Sequence, residues 1–215
     1  MKKFLLVMLV IGGLMMVGCD RKNSRSWLEN MFGNELSRVY PTENLEDLFE
    51  EFPDGFEINQ VIMKDEVIID VILIGSKVDK SLKGNIIITN RQTSVEIEKE
   101  SISYENGSIV IENKSFLDHY WPQKAFLLKY LNLNRPYLKS LYLKEKSHNF
   151  QNGDMSLRYQ LTSSEIIKYL HLNGNDKFTM QLGGSESNRG FYYSVSVYDN
   201  DNEFYFSERI LDSKN

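Results

Sequence analysis

The chain has 215 residues, with 25 Lys and Arg against 30 Asp and Glu, a formal charge of −5 and a single cysteine. An acidic balance lacks the basic footprint that nucleic-acid binding requires, and one thiol leaves no intrachain disulfide to staple the fold. A hydrophobic core must hold it, and a chain of this length is enough to bury one in a single domain.

The chain opens with Met1-Lys2-Lys3, runs through apolar residues from Phe4 to Val17 and reaches Gly18-Cys19. Two lysines, a short apolar run and a small residue are the layout of a secretory signal, and the run falls short of the roughly 20 residues a membrane span needs. Met16-Val17-Gly18-Cys19 resembles the lipobox of bacterial lipoproteins. That resemblance implies that the Cys19 thiol receives a diacylglyceryl group and that the signal is cut just before it. Two acyl chains make a durable tether where one is marginal. Cys19 is therefore the candidate lipidation site, with the cell membrane as its partner on the extracytoplasmic side. The expected organisation is a signal over 1–18, a lipidated tether over 19–26 and one folded domain over 27–215. Loss of Lys2 and Lys3 leaves 23 basic and 30 acidic side chains, a charge of −7.

Asp20 to Ser26 is polar and without periodicity, which suits a short flexible stalk, and Arg21, Lys22 and Arg25 offer attraction to anionic headgroups. Trp27, Leu28, Met31, Phe32, Leu36 and Val39 then recur at helical spacing, with Gly33 weakening the middle. Tyr40-Pro41-Thr42 breaks the chain and offers Thr42 as an N-cap for a short amphipathic helix carrying Leu45, Leu48, Phe49 and Phe52. Its acidic residues read as a solvated face and not as a metal site, because hard cations want oxygens converging on one point.

From residue 56 to 112 the period changes to two. Val67–Ile74 and Gly84–Thr89 are β-branched runs, Val95, Ile97, Ile102, Tyr104, Ile109 and Ile111 alternate with polar neighbours, and Asn106-Gly107 is a hairpin signal. Phe116 to Lys146 returns to helical spacing, broken at Pro122 and Pro136. Ser156–Leu161 reads as a strand, Thr162-Ser163-Ser164-Glu165 as a cap for a brief helix, and Phe178–Leu182, Phe191–Tyr198 and Glu203–Ile210 as a second β set. The expected class is a single-domain α+β fold: antiparallel sheet in two hairpin or meander sets, with amphipathic helices packed on it.

The block from Lys114 to Asn149 carries seven basic residues against Asp118 and Glu145, a charge of +5 inside an acidic body. Such a reversal suggests a face for an anionic partner, a wall polymer or a host component, with Trp121, Lys124, Lys129 and Lys139 as candidate contacts and Tyr137 and Tyr142 as further aromatic anchors. Lysine stems lying along ordinary core helices give the same composition.

Catalytic signatures are absent. His119, His148 and His171 stand far apart, and Glu145 with His148 lacks the second pair a bundle metal site requires. Asp199-Asn200-Asp201-Asn202-Glu203 has the alternating oxygens of half a calcium loop but not its sixth-position glycine, so a turn is expected. No nucleophile elbow, phosphate loop or dinucleotide fingerprint occurs, and neither enzymatic activity nor a cofactor is expected.

Tyr40-Pro41-Thr42-Glu43-Asn44-Leu45-Glu46-Asp47-Leu48-Phe49 and Asn152-Gly153-Asp154-Met155-Ser156 are similar to segments of the staphylococcal tandem-type lipoproteins, as is the strand and turn plan from Phe178 to Ile210. The resemblance implies a membrane-anchored surface lipoprotein with a non-enzymatic role in host contact. A capture lipoprotein feeding a transporter and a wall-active enzyme are the alternatives. Only Cys19 carries over as a functional position.

Overall fold

A computed structural model describes residues 21–173, 178–185, 192–201 and 203–213. Ten strands form one antiparallel sheet in the order β5-β4-β3-β2-β1-β10-β9-β8-β7-β6. The strands are β1 (Phe56–Lys64), β2 (Val67–Gly75), β3 (Leu82–Asn90), β4 (Glu96–Glu105), β5 (Ser108–Val110), β6 (Leu143–His148), β7 (Asp154–Gln160), β8 (Phe178–Ser185), β9 (Tyr192–Asp199) and β10 (Phe204–Asp212). Each half of the chain supplies a five-strand meander, and the two join where β1 pairs with β10 from Phe56↔Asp212 to Lys64↔Phe204.

Alternation puts one side of every strand on the same face. Phe56, Ile58 and Ile62 of β1, Val71 and Leu73 of β2, Ile86 and Ile88 of β3, Leu157 and Tyr159 of β7, Met180 and Leu182 of β8, Val195 and Val197 of β9, and Phe206 and Ile210 of β10 are all buried there. Among the described residues, five short helices cover this face: α1 (Arg25–Leu36), α2 (Leu48–Glu51), α3 (Lys114–Tyr120), α4 (Arg135–Ser140) and α5 (Ser164–Tyr169), with 3-10 turns at Leu45–Asp47 and Leu127–Lys129.

The architecture corrects the expected α+β fold. There are not two β sets carrying a layer of amphipathic helices; one continuous sheet is the frame, and apart from α1, with 12 residues, the described helices run from four to seven residues, so the fold is mostly β. The largest departure lies in the block from 116 to 146. Only α3, α4 and one 3-10 turn are helical there, and Leu143–His148 is the edge strand β6. Its two prolines interrupt any longer helix. Thr42 is not a cap. Its hydroxyl donates to the Val39 carbonyl, and Asn44 caps the next turn by accepting from the Glu46 N–H.

Other local readings hold. Ser163 accepts from the Ile166 N–H at the start of α5, and Asn106 and Gly107 take φ of 50° and 80° between β4 and β5, the left-handed pair a tight hairpin requires. Arg25 and Ser26, read as tether, already belong to α1, whose N-cap Ser24 accepts from the Trp27 N–H.

Gly33 explains itself in the packing of α1 on α4. A Cβ there would lie 2.6 Å from the Arg135 backbone nitrogen and 2.8 Å from its Cα. Helix propensity alone favours Gly33→Ala by about 1 kcal/mol, whereas overpacking against backbone costs about 1–3 kcal/mol. The backbone contact wins: G33A is expected to lower stability in urea denaturation, and a stabilised variant would show that the two helices separate freely.

Candidate functional site

At the centre of the apolar face the β1–β10 seam carries two polar residues opposite one another, Gln60 and Glu208, both fully buried. Glu208 accepts four hydrogen bonds: from the Tyr40 hydroxyl at 2.9 Å, Gln60 Nε2 at 2.8 Å, and the backbone N–H groups of Leu127 and Leu128 at 2.6 and 2.8 Å. The Trp121 indole N–H donates to Gln60 Oε1 at 2.7 Å, which fixes the orientation of that amide because an indole only donates. Gln60 Nε2 also donates to the Tyr169 hydroxyl at 2.8 Å, and Tyr169 donates onward to the Ala125 carbonyl at 2.7 Å.

An ionised carboxylate has about four lone-pair sites, and four donors occupy those of Glu208. All four donors belong to the protein, so the carboxylate is turned to the core and not to a ligand. Burial pushes its carboxyl up to about 7, against the downward pull of the Leu127 N–H, Gln60, Tyr40 and the Leu128 N–H. Tyr40 and Tyr169 are held well above the ordinary phenol value, first by burial and then by the adjacent Glu208 charge, so both remain donors.

The network places the walls of a cleft beside it. Trp121 is followed by Pro122 and Gln123, and Tyr169 by Leu170 and His171. Pro122, Gln123, Leu170 and His171, with Tyr120, Ile62, Val67, Ile69 and Phe204, line a hollow of about 360 Å³, and Lys64, Asp65 and His119 line it too, so His119 and His171, far apart in sequence, meet at one cleft. A neighbouring hollow of about 510 Å³, lined by Tyr130, Glu165, Lys168 and Tyr169, shares Pro122, Gln123 and His171. Both volumes are in the range of small-molecule sites. Gln123 Oε1 is buried there with no donor among the described residues. The cleft therefore combines apolar side chains with the polar Lys64, Asp65, His119 and His171 and one buried acceptor, Gln123 Oε1.

The sequence-predicted residues fall in different places. Cys19 lies outside the described residues. Trp121 has no exposed surface and meets Phe126 edge-on at 5.4 Å; as the closing donor of the central network, it is not a surface anchor. Lys124 pairs with Asp118. Lys129 reaches the Gly107 carbonyl at 3.3 Å and lies over the Tyr104 ring, at the β4–β5 hairpin. Lys139 sits beside α1, where its carbonyl accepts from Arg25. Lys129 thus lies toward the β5 edge of the sheet and Lys139, on α4 against α1, which itself packs on β7, toward the β6 edge, so the two are not brought together.

Among the described residues no group of three or more His, Cys, Asp or Glu is placed to hold a metal. His148 is buried between Trp27 and Phe150, at ring separations of 5.4 and 4.3 Å. Glu145, exposed, pairs with Arg158. Asp199 spends both carboxylate oxygens on the backbone N–H groups of Glu203 and Phe204, as a turn does; Asn202 lies outside the described residues.

Gln60 and Glu208 were missed in the sequence, though a signal existed. Phe56, Ile58, Gln60 and Ile62 share one side of β1, and Phe204, Phe206, Glu208 and Ile210 share one side of β10. A lone polar residue in an otherwise apolar register marks a buried partner.

No protein-family model matches the chain, and no curated protein matches it. Among solved structures, a DUF1329 family protein from Desulfovibrio piger is similar at 6% identity with a TM-score of 0.20, covering 85% of this chain and 91% of that one. Likeness at that level transfers neither fold nor function.

Titration of Glu208 has a definite sign. The folded protein keeps the proton up to about pH 7, whereas the unfolded chain releases it near the ordinary value of 4.5. The stabilisation is complete below 4.5 and is lost as pH rises through 7, by about 3 kcal/mol in all. Denaturant midpoints of the wild type should fall over that window relative to Glu208→Gln; parallel curves would mean that Glu208 does not titrate there.

Proposed function

We propose that this chain is a surface lipoprotein, held to the outer face of the cell membrane by a diacylglyceryl group on Cys19, whose folded body binds a partner and does not catalyse. The run Lys2-Lys3, Phe4–Val17, Gly18-Cys19 carries the reading, because it puts the only sulfur of a thiol at the one position where lipidation and cleavage coincide. The similarity of Tyr40–Phe49 to the tandem-type lipoproteins supports it, and a host or wall component is the class of partner.

A wall-active enzyme would need a nucleophile and base, or paired carboxylates, turned toward a cleft. Glu208, the most shifted of the buried carboxyls, turns its lone pairs toward protein donors instead. One observation favours a second reading, capture of a small solute for a transporter: Gln123 Oε1, buried without a donor among the described residues, in a cleft of mixed apolar and polar lining.

Full-length chain expressed in a bacterium that matures lipoproteins should yield an N-terminal peptide beginning at Cys19 with the diacylglyceryl mass added. Cys19→Ala should leave the membrane fraction. A free thiol at Cys19, or residues 1–18 still attached, overturns the proposal.

A further inference from the structure

The lipid anchor and the folded body are separated by very little chain. From Cys19 to the N-cap Ser24 there are five residues, which extended span about 17 Å. That length is the upper limit, and any bent path of the same residues brings the start of α1 toward the Debye length of about 8 Å within which charges act at physiological salt. A body of charge −7 held so close to an anionic surface is repelled unless basic groups face it.

The fold collects basic groups at that point from distant parts of the sequence. Arg21 and Lys22 are exposed just ahead of α1, and Lys22 lies 5.5 Å from the centre of the Trp27 ring. Arg25 spans from α1 to the end of α4, donating to the Lys139 and Leu141 carbonyls at 3.2 and 3.0 Å, and this brings exposed Lys139 alongside. Lys146, exposed on edge strand β6, donates to the Asn23 carbonyl. Two carboxylates lie beside them: Glu29 is buried and bonded to Arg25, and exposed Glu145 on β6 pairs with Arg158, so each is offset by its own arginine. Phe150, half exposed, packs at a tilt against His148, which stacks on Trp27, adding exposed aromatic surface to this face.

We infer that the start of α1, the end of α4 and strand β6 form a face that lies against anionic phospholipid headgroups, with Arg21, Lys22, Lys139 and Lys146 as the charges and Phe150 as an exposed ring. This rests on lipidation at Cys19 and adds an orientation to it. The β6 edge of the sheet is turned to the bilayer. The β2–β3 loop, which joins strands six and seven spacings of about 4.8 Å from β6 in the sheet order, is turned away.

The test uses the full-length lipidated protein in vesicles of phosphatidylglycerol with phosphatidylcholine, or of phosphatidylcholine alone. Acylation leaves no other thiol, so a spin label at Ser147→Cys on β6 or at Val78→Cys, which is exposed on the β2–β3 loop, reports a single place. With a paramagnetic chelate on the headgroups, the Ser147→Cys label should relax strongly on anionic vesicles and the Val78→Cys label should not. Salt, and R21Q, K22Q and K139Q, should weaken that relaxation, each neutralised charge lowering the membrane-apposed population about fivefold. These three side chains are exposed, and circular dichroism of each variant verifies folding. Equal relaxation at both labels, or none of the expected dependence on charge, on protein that floats with the vesicles and carries the acyl mass, overturns the orientation alone. Protein that lacks the acyl mass and does not float overturns the anchor and the orientation with it.

Discussion

The hydrogen bonds around Glu208 are the constraint on which the remaining structure depends. Burying a carboxyl at the middle of an apolar face is costly unless its lone pairs are met. Here they are met by groups from separate parts of the chain: Tyr40 after α1, Gln60 on β1, and the backbone at Leu127 and Leu128. Tyr169 and Trp121 join through Gln60. Apolar burial draws these segments to the sheet without saying where each should stop; the donors specify the position. A partly satisfied network of this kind is worse than an apolar one, so the segments dock together.

The same network decides what the cover can be. The apolar spacing of Phe126, Leu127, Tyr130 and Leu131 fits a helix, yet only a 3-10 turn forms. The N–H groups of Leu127 and Leu128 point at Glu208, which is open to them at the start of a turn and closed to them inside a helix. Periodicity reports which side chains seek the core and is silent about a carboxylate contributed some eighty residues later.

Where information is local, the sequence was legible: the cap at Ser163, the left-handed pair Asn106-Gly107, and the β-branched runs of β2 and β3. The alternation in β4 was read with mixed parity. Ile102 and Tyr104 face the core, while Val95 and Ile97, an odd number of residues away, are exposed. The strand β6 was invisible because Lys144-Glu145-Lys146 gives it the charged look of a solvated helix, which is also how an edge strand is kept from pairing with another chain. The cleft residues Gln123 and His171 had no sequence signal, since it is the docking of α3 and α5 around Gln60 that brings them together.

The pairing of β1 with β10 has a consequence for how the protein comes into being. The sheet's middle is assembled from the first strand and the last in chain order, so an emerging polypeptide holds Gln60 and its apolar neighbours without their natural cover until nearly all of it has been made. Contacts of such long sequence separation close slowly. The middle of the sheet is therefore the last part of this molecule to be sealed, however early its first strand is made.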